Sequence, residues 1–256
     1  MKTQLKVKKL FNDHQVKDLR FFLNSFSYTN QPLALTEISD YKLLFDIIFS
    51  KEIFNFVYDT FNEEVFFYYN FVIQKNNRNY LLNAKYHKDS GKPHQSEIIS
   101  KNNNLLFKVG IYLQKNEKKK GGGIDVLKPM IFDDLSDKNK FKNKLRALYY
   151  MIQDKLFDTH LSTNSGDGVI FNALMSHRTS ATDEKMNSEL TDKYAIYLQF
   201  INLNLIKDVL RATDAHNEFR NEDDIKKNII TISNKNRSFK VLNKEFTKKI
   251  SYYLGL

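Results

Sequence analysis

The spacing of hydrophobic residues changes near residue 63, and this change divides the chain into a helical part and a β-rich part. In residues 40–50 the apolar side chains recur three and four positions apart, which is typical of one face of a helix. The same spacing continues after Ser50, a residue type that commonly caps a helix N-terminus. From residue 65 to 73 the chain is aromatic and β-branched, a composition that favours a strand.

Beyond this point the pattern predicts short strands separated by turns. The polar run 75–79 predicts a hairpin turn, with residues 80–86 as the returning strand. The triple glycine at 121–123 predicts another turn, and residues 137–156 predict a helix that is basic on one side. Further strands are predicted in the segments 105–114, 124–127, 166–172 (a turn and then a strand) and 192–200. Short strands at fairly even intervals indicate an antiparallel sandwich or barrel.

We expect one domain over residues 1–256, because no segment has the composition of a linker. Residues 1–62 are expected to form a mainly helical N-terminal support. Residues 63–200 would form the β core, with a helical insertion near residues 137–156. Residues 201–256 would add a C-terminal extension of helical and irregular structure.

Two of the predicted strands share a sequence motif. The stretch Lys108-Val-Gly-Ile-Tyr-Leu-Gln114 is echoed by Lys193-Tyr-Ala-Ile-Tyr-Leu-Gln199. Such an echo arises by coincidence between two good strand sequences, or from two strands of one barrel that face the same cavity. The sequence leaves both explanations open.

The composition narrows the chemistry that the chain can carry. It contains no cysteine, which excludes disulfides, thiolate metal sites and cysteine nucleophiles, so any metal must be held by nitrogen and oxygen. No stretch approaches the roughly 18–20 apolar residues that span a bilayer. No apolar segment follows the basic N-terminus, so we expect no secretory signal and a cytoplasmic location.

The net charge of +10 makes anionic partners such as nucleic acid or phosphorylated and carrier-linked metabolites candidates. Lysines that are spread along a whole chain are, however, also typical of a solvated surface. The charge alone therefore does not assign a partner.

The stretch Lys85-Tyr-His-Lys-Asp-Ser-Gly91 contains the first candidate metal ligands. Residues two apart in a strand point to the same side, so His87 and Asp89 can converge on one ion. A polar strand end would look the same, because His-x-Asp alone is a weak signal. A third ligand is available in His177, which follows a predicted turn, strand and return. Two histidines and one carboxylate form the facial triad of non-haem iron oxygenases.

Four segments in order resemble the phytanoyl-CoA dioxygenase family of iron(II)- and 2-oxoglutarate-dependent oxygenases. The segment 86–91 is similar to the family's ligand turn, and the segments 107–114 and 121–126, with Pro129, to its strand, glycine turn and strand. The segment 166–172 with His177 resembles its Gly-Asp, apolar strand and histidine. The segment 193–200 resembles the final strand that carries the basic anchor of the co-substrate. The resemblance spans about residues 80–200.

This resemblance implies a fold, a reaction and a set of metal ligands. The fold is mainly β with flanking helices, a double-stranded β-helix (jelly roll, cupin-like). His87, Asp89 and His177 would be the catalytic iron(II) ligands, with 2-oxoglutarate as co-substrate. The implied reaction uses dioxygen to hydroxylate an unactivated C–H bond of a small metabolite, with release of succinate and carbon dioxide. Because Asp89 is retained, the resemblance favours hydroxylation or a related oxidative step over halogenation.

The resemblance also implies co-substrate contacts. Lys193 stands where the family usually has an arginine for the distal carboxylate, and a lysine offers a point charge instead of a bidentate fork. Arg178 is a rival anchor, although its side chain should point to the opposite face from His177. Thr179 is on the same side as His177 and stands where the family often has a hydroxyl group. Tyr112 is a candidate hydrogen-bond donor, with core packing as the alternative.

The sequence defines the substrate contacts less clearly, and it leaves rival functions open. Gly110 occupies a position where relatives often place a large aromatic residue. Lys92, His94 and Gln95 border the predicted pocket mouth and are candidate contacts to an anionic, sugar- or carrier-linked substrate, or an ordinary solvated loop. The rival functions are an oxidative nucleic-acid demethylase of the same fold, for which no paired-arginine signature follows His177, and a non-catalytic jelly-roll binding protein. The sequence does not indicate an oligomeric state.

Overall fold

The protein was analysed as a computed structural model. The structure describes residues 5–27, 29, 32–33, 41–48, 50–61, 66–76, 85–87, 106–118, 120–127, 140–157, 159–172, 175–181 and 193–202. The predictions for 77–84, 137–139 and 203–256 lie outside these residues. None of the helices in this part of the chain combines the length and the apolar character that a membrane crossing requires.

Four helices and nine strands occupy the described residues. In chain order they are β1 (Leu5–Lys9), α1 (Asp13–Asn24), β2 (Pro32–Leu33), α2 (Lys42–Ile48), α3 (Lys51–Phe61), β3 (Phe66–Asn76), β4 (Leu106–Tyr112), β5 (Ile124–Val126), α4 (Lys140–Leu156), β6 (His160–Leu161), β7 (Asp167–Asn172), β8 (His177–Thr179) and β9 (Lys193–Asn202).

The described strands form two antiparallel sheets. The larger sheet has six strands in the order β1-β7-β4-β9-β3-β2, and the smaller one has three in the order β6-β5-β8. Apolar side chains of both sheets pack in one buried cluster, which therefore lies between them. Its members are Tyr112, Ile124, Val126, Val169, Phe171, Met175 and Ala195. The chain thus has the predicted jelly-roll architecture.

Helices α1 and α3 pack on the other face of the larger sheet. On α1 the residues Val16, Leu19 and Leu23 are buried at helical spacing, and a capping box between Asn12 and Gln15 starts this helix. On β7, Gly168 points away from the inter-sheet cluster, and a Cβ there would lie 2.2 Å from Leu10 Cδ1 and 3.4 Å from a ring carbon of Phe56 on α3. Strands β4, β7 and β9 are consequently buried on both faces.

Most of the predicted strands are confirmed, and two boundaries change. Strand β3 continues through Lys75 and Asn76, so the hairpin turn predicted to begin at Lys75 was placed too early. The N-terminal region predicted as mainly helical also contains β1, which pairs with β7 at the edge of the larger sheet. The sequence alternates apolar and polar residues only over Leu5-Lys-Val-Lys8, and four of the five β1 residues are exposed, so the signal for a strand is short and weak.

The two strands of the echoed motif are neighbours. Strands β4 and β9 pair antiparallel, with Lys108 opposite Gln199 and Gly110 opposite Tyr197. Opposed residues of an antiparallel pair project to the same face. Both strands contribute residues to one cavity, as the second explanation of the echo requires.

Candidate metal and co-substrate site

The two predicted histidine ligands lie side by side. His87 forms an isolated antiparallel bridge with His177, in which the amide of each donates a 2.9 Å hydrogen bond to the carbonyl of the other. Their ring centroids are 4.5 Å apart, with a 50° angle between the planes. His177 is buried at 5% exposure and packs against the ring of Phe171 at 4.8 Å, whereas His87 is exposed at the mouth.

Backbone carbonyls select the tautomer of both rings. The Nδ1 atom of His177 lies 2.8 Å from the carbonyl oxygen of Met175, and Nδ1 of His87 lies 3.1 Å from that of Lys85. A carbonyl oxygen only accepts, so in each ring Nδ1–H is the donor. The neutral ring then carries its lone pair on Nε2, which is the arrangement found in metal-ligating histidines.

The third predicted ligand, Asp89, lies outside the described residues, as do Lys92, His94 and Gln95. Among the described residues, no three histidine, aspartate or glutamate side chains are grouped closely enough to hold a metal ion. The described residues therefore contribute two imidazoles to the predicted metal site. Paired imidazoles with nitrogen lone pairs suit iron(II), zinc or manganese, and they fit the predicted site as far as it is described.

A cleft opens beside the histidine pair. Its cavity volume is about 130 Å³, which is below the roughly 300–1,000 Å³ of drug-sized sites and suits a small ligand. The described residues that line it come from both sheets and are Val72, Gln74, His87, Lys108, Ile124, His177, Arg178, Thr179, Tyr197 and Gln199. None of these lining residues is acidic, so the described walls suit an anionic ligand.

Thr179 lies where the strand alternation predicted. It is two residues beyond His177 on β8, is buried at 6% exposure and lines the cleft. Tyr112 is fully buried in the inter-sheet cluster, and its hydroxyl lies 3.4 Å from that of Tyr197. Burial, followed by the neighbouring Tyr197, raises the pKa of Tyr112 well above its ordinary value. It therefore remains a neutral phenol behind Tyr197.

Gly110 makes room for an aromatic residue from the neighbouring strand. A Cβ at this position would lie 2.9 Å from a ring carbon of Tyr197. Tyr197 thus fills, from β9, the space that an aromatic side chain at position 110 would take. The phenol that faces the cleft is that of Tyr197, and the sequence analysis did not identify it.

Lys193 lies at the start of β9 and is not among the described residues that line the cleft. Its stem packs against Gly122, where a Cβ would lie 2.6 Å from the Cγ of Lys193. Burial, and then the positive charges of Arg20 and Lys120, lower the pKa of Lys193, while Glu117 opposes the shift. The surroundings of this lysine thus disfavour its positive charge.

The Arg178 guanidinium reaches Asp125 on the face of β8 opposite His177, although Arg178 also borders the cleft. Its Nε donates a 2.9 Å hydrogen bond to the Asp125 carboxylate, and its guanidinium lies 4.2 Å from the ring centroid of Tyr86. The same carboxylate accepts a 2.6 Å hydrogen bond from Ser180 and lies 3.2 Å from Nδ1 of His160. The charge of Arg178 is therefore largely balanced by Asp125.

Lys108 also lines the cleft, and the sequence analysis did not identify it as a site residue. It stands on β4 opposite Phe171 of β7, and the Phe171 ring contacts His177. Its ammonium lies 6.0 Å from the ring centroid of Tyr197. The signal was available, because Lys108 is two residues before Gly110 and four before Tyr112 and so shares their inward face.

Solved structures show where this architecture recurs. It is shared with HygX from Streptomyces hygroscopicus with iron bound, at TM-score 0.55 and 13% identity over 78% of this chain and 83% of that chain. HygX with nickel and 2-oxoglutarate bound matches at TM-score 0.52 and 12% identity, over 78% of this chain and 82% of that chain. AviO1 from Streptomyces viridochromogenes Tue57 matches at 0.51 and 11% over 78% and 90%.

A further match is SnoN, a non-heme alpha-ketoglutarate-dependent epimerase from nogalamycin biosynthesis, at TM-score 0.51 and 8% identity over 78% of this chain and 77% of that chain. No protein-family model and no curated protein matches the sequence. At these identities the likeness shows the fold, a jelly roll. The resemblance to the phytanoyl-CoA dioxygenase family stays a prediction.

Proposed function

We propose that this protein is an iron(II)- and 2-oxoglutarate-dependent dioxygenase that hydroxylates an unactivated C–H bond of a small metabolite. The observation that carries the proposal is the histidine pair, His87 and His177, with both Nδ1–H groups donated to carbonyls beside an open cleft. The shared fold of HygX and SnoN supports the same class of chemistry.

In this proposal His87, Asp89 and His177 hold iron(II), which supplies dioxygen activation coupled to decarboxylation of 2-oxoglutarate. The overall reaction balances as substrate, dioxygen and 2-oxoglutarate giving hydroxylated product, succinate and carbon dioxide. The chain itself fixes the imidazoles through the carbonyls of Lys85 and Met175.

The walls of the cleft would orient the organic ligands and limit water access. Thr179 and Tyr197 offer hydroxyl donors within the cleft, and Gln74 and Gln199 offer amides from neighbouring strands. The absence of acidic groups among the described lining residues favours an anionic substrate, such as a sugar- or carrier-linked metabolite.

The test is an anaerobic titration. Addition of iron(II) and then 2-oxoglutarate to the purified protein should produce a weak visible charge-transfer band, and a screen of metabolite pools should reveal substrate-dependent succinate release. Both signals should disappear in His87→Ala and remain in His14→Ala, since His14 is an exposed residue of α1. A wild-type protein that gives no band would contradict the proposal and favour a non-catalytic binding role.

A further inference from the structure

We propose that the exposed apolar face of α4 docks on an anionic lipid surface. This inference goes beyond the proposed function and does not depend on the metal site. It concerns the basic helix expected from the sequence, for which the proposed reaction has no role.

One side of α4 carries a stripe of exposed aliphatic side chains. Its members, with their exposed fractions, are Leu145 (39%), Leu148 (48%), Ile152 (40%) and Leu156 (74%). On a helix with 3.6 residues per turn these four positions lie within about 80° of one another. Single exposed leucines are ordinary, but a contiguous stripe in a folded protein marks a surface that binds something apolar.

The rest of the protein holds α4 along another side. Gln153, which lies about 100° round the helix from the middle of the stripe, is buried. Beyond the last turn, the carbonyl of Thr159 accepts a 2.9 Å hydrogen bond from the amide of Val126 on β5. The Thr159 hydroxyl also lies 3.1 Å from that of Tyr86, the residue before His87. The stripe therefore belongs to a helix that is fixed to the fold close to the histidine pair.

The charge of α4 indicates the kind of surface that the stripe meets. The helix has five cationic residues and a single acidic one, for a net charge of +4. Lys144 and Lys155 are exposed and lie beside Leu148 at the edge of the stripe. Cations at such an edge are attracted to an anionic leaflet, while the aliphatic side chains enter the boundary between headgroups and acyl chains. Helix α4 thus has both properties of a helix that lies in a membrane surface.

Charge also separates a lipid surface from a second copy of the chain. Two stripes packed on each other would bring together two helices of net charge +4, in proteins of net charge +10. Repulsion between like charges opposes that contact. A lipid surface is fluid, so it also needs no groove shaped to the four aliphatic side chains.

The experiment measures binding of the full chain to vesicles by flotation. The vesicles contain phosphatidylcholine alone, or phosphatidylcholine and phosphatidylserine in equal parts. The wild type should bind only the anionic vesicles, and binding should weaken as salt concentration rises. The double variant Leu148→Gln/Ile152→Gln should bind at least about 10-fold more weakly. The double variant Lys144→Gln/Lys155→Gln should lose about 10- to 30-fold in affinity.

Helix α1 supplies matched controls. Lys17 and Phe21 are exposed there one turn apart, so Lys17→Gln and Phe21→Gln each change an exposed residue of the same kind away from the stripe. Both variants should bind anionic vesicles like the wild type. Circular dichroism checks that every variant keeps its fold.

A fluorescent reporter tests the same contact without removing it. The chain contains no tryptophan, so Leu148→Trp provides a single indole on the stripe. On anionic vesicles its emission should shift to shorter wavelength and should be quenched by brominated acyl chains. Phe21→Trp should show neither change.

Three vesicle results would overturn the inference: no binding to anionic vesicles, equal binding to neutral ones, or full binding by the stripe variants. Sedimentation of the protein alone adds a fourth. A wild-type dimer that Leu148→Gln/Ile152→Gln converts to a monomer would assign the stripe to a second copy.

Discussion

Strand β8 has two faces, and each carries a different kind of polar site. His177 and Thr179 face the cleft, while the guanidinium of Arg178, a residue that also borders the cleft, binds Asp125 on the other face, where Ser180, just beyond the strand, joins the same polar network. On the outer face three groups converge on the Asp125 carboxylate within 3.2 Å. The cleft face instead presents ring nitrogens and a hydroxyl to an open space.

The comparison shows how two kinds of polar residue can be told apart. Groups that are hydrogen-bonded to one another stabilise the fold, as in the network of Asp125, His160, Arg178 and Ser180, which joins β5, β6 and β8. Groups that are oriented by backbone contacts and still face a cleft are available for a ligand. Residues one apart in sequence thus have separate roles.

The largest expected effect is a loss of function on the cleft face. His177→Ala removes a proposed metal ligand and should abolish iron(II)-dependent binding of 2-oxoglutarate, measured by calorimetry. It should also lower stability by about 2 kcal/mol, because the buried ring loses its packing against Phe171 as well as its hydrogen bond to Met175. Retained iron and 2-oxoglutarate binding in this variant would show that the two faces are not divided as described.

On the outer face the large effect should be on stability. Asp125→Ala leaves the partly buried Arg178 and the buried His160 side chain without their carboxylate, and it should lower the free energy of unfolding by about 3 kcal/mol. Urea unfolding followed by circular dichroism measures this loss. The matched control is Asp13→Ala, since Asp13 forms an exposed pair with Lys9 and should change stability by less than about 0.5 kcal/mol. Equal losses in both variants would contradict the comparison.

The amino-acid pattern made the cleft face easier to predict than the outer face. Strands β4, β7 and β9 carry aromatic and β-branched runs, and the two-residue spacing of His177 and Thr179 assigns both to one side. The pairing of Asp125 with Arg178 joins residues 53 positions apart, and no local signal indicates it. Strand β6 has only two residues, too few for a periodic pattern.

The same limit applies to Lys108 and Tyr197. Each was visible as a strand residue, but its side-chain neighbours depend on how β4 pairs with β9. The need for glycine at position 110 is explained by the Tyr197 ring beside it, which leaves no room for a Cβ. Local periodicity therefore predicted elements and faces, whereas cross-strand packing decided which residues share the cleft.

Acid pH should reduce the stability that the Asp125 carboxylate contributes on the outer face. Burial by itself would raise the pKa of Asp125, but hydrogen bonds from His160, Ser180 and Arg178 outweigh burial and hold it below its ordinary value of 3.8. A depressed folded-state pKa contributes stability above the ordinary pKa, and this contribution is lost as pH falls through the folded value. Wild-type protein should thus lose stability more steeply than Asp125→Asn below about pH 4 in urea unfolding. Parallel pH profiles would contradict this expectation.

The smallest expected effect concerns Lys193. Because burial and the neighbouring Arg20 and Lys120 lower its pKa, the folded protein disfavours its charged form. Lys193→Met should consequently unfold at the same urea concentration as wild type or a slightly higher one, within about 0.5 kcal/mol. A clear destabilisation would show that the ammonium makes a net favourable contact in the folded protein.

The central claim is that the Nε2 atoms of His87 and His177 bind one metal ion. Proton NMR of the cobalt(II)-substituted protein tests it directly, because the ring Nδ1–H protons of metal-ligating histidines give strongly shifted signals that vanish in D₂O. We expect two such signals, of which one is lost in His87→Ala. Fewer than two exchangeable shifted signals in the wild-type protein would contradict the claim.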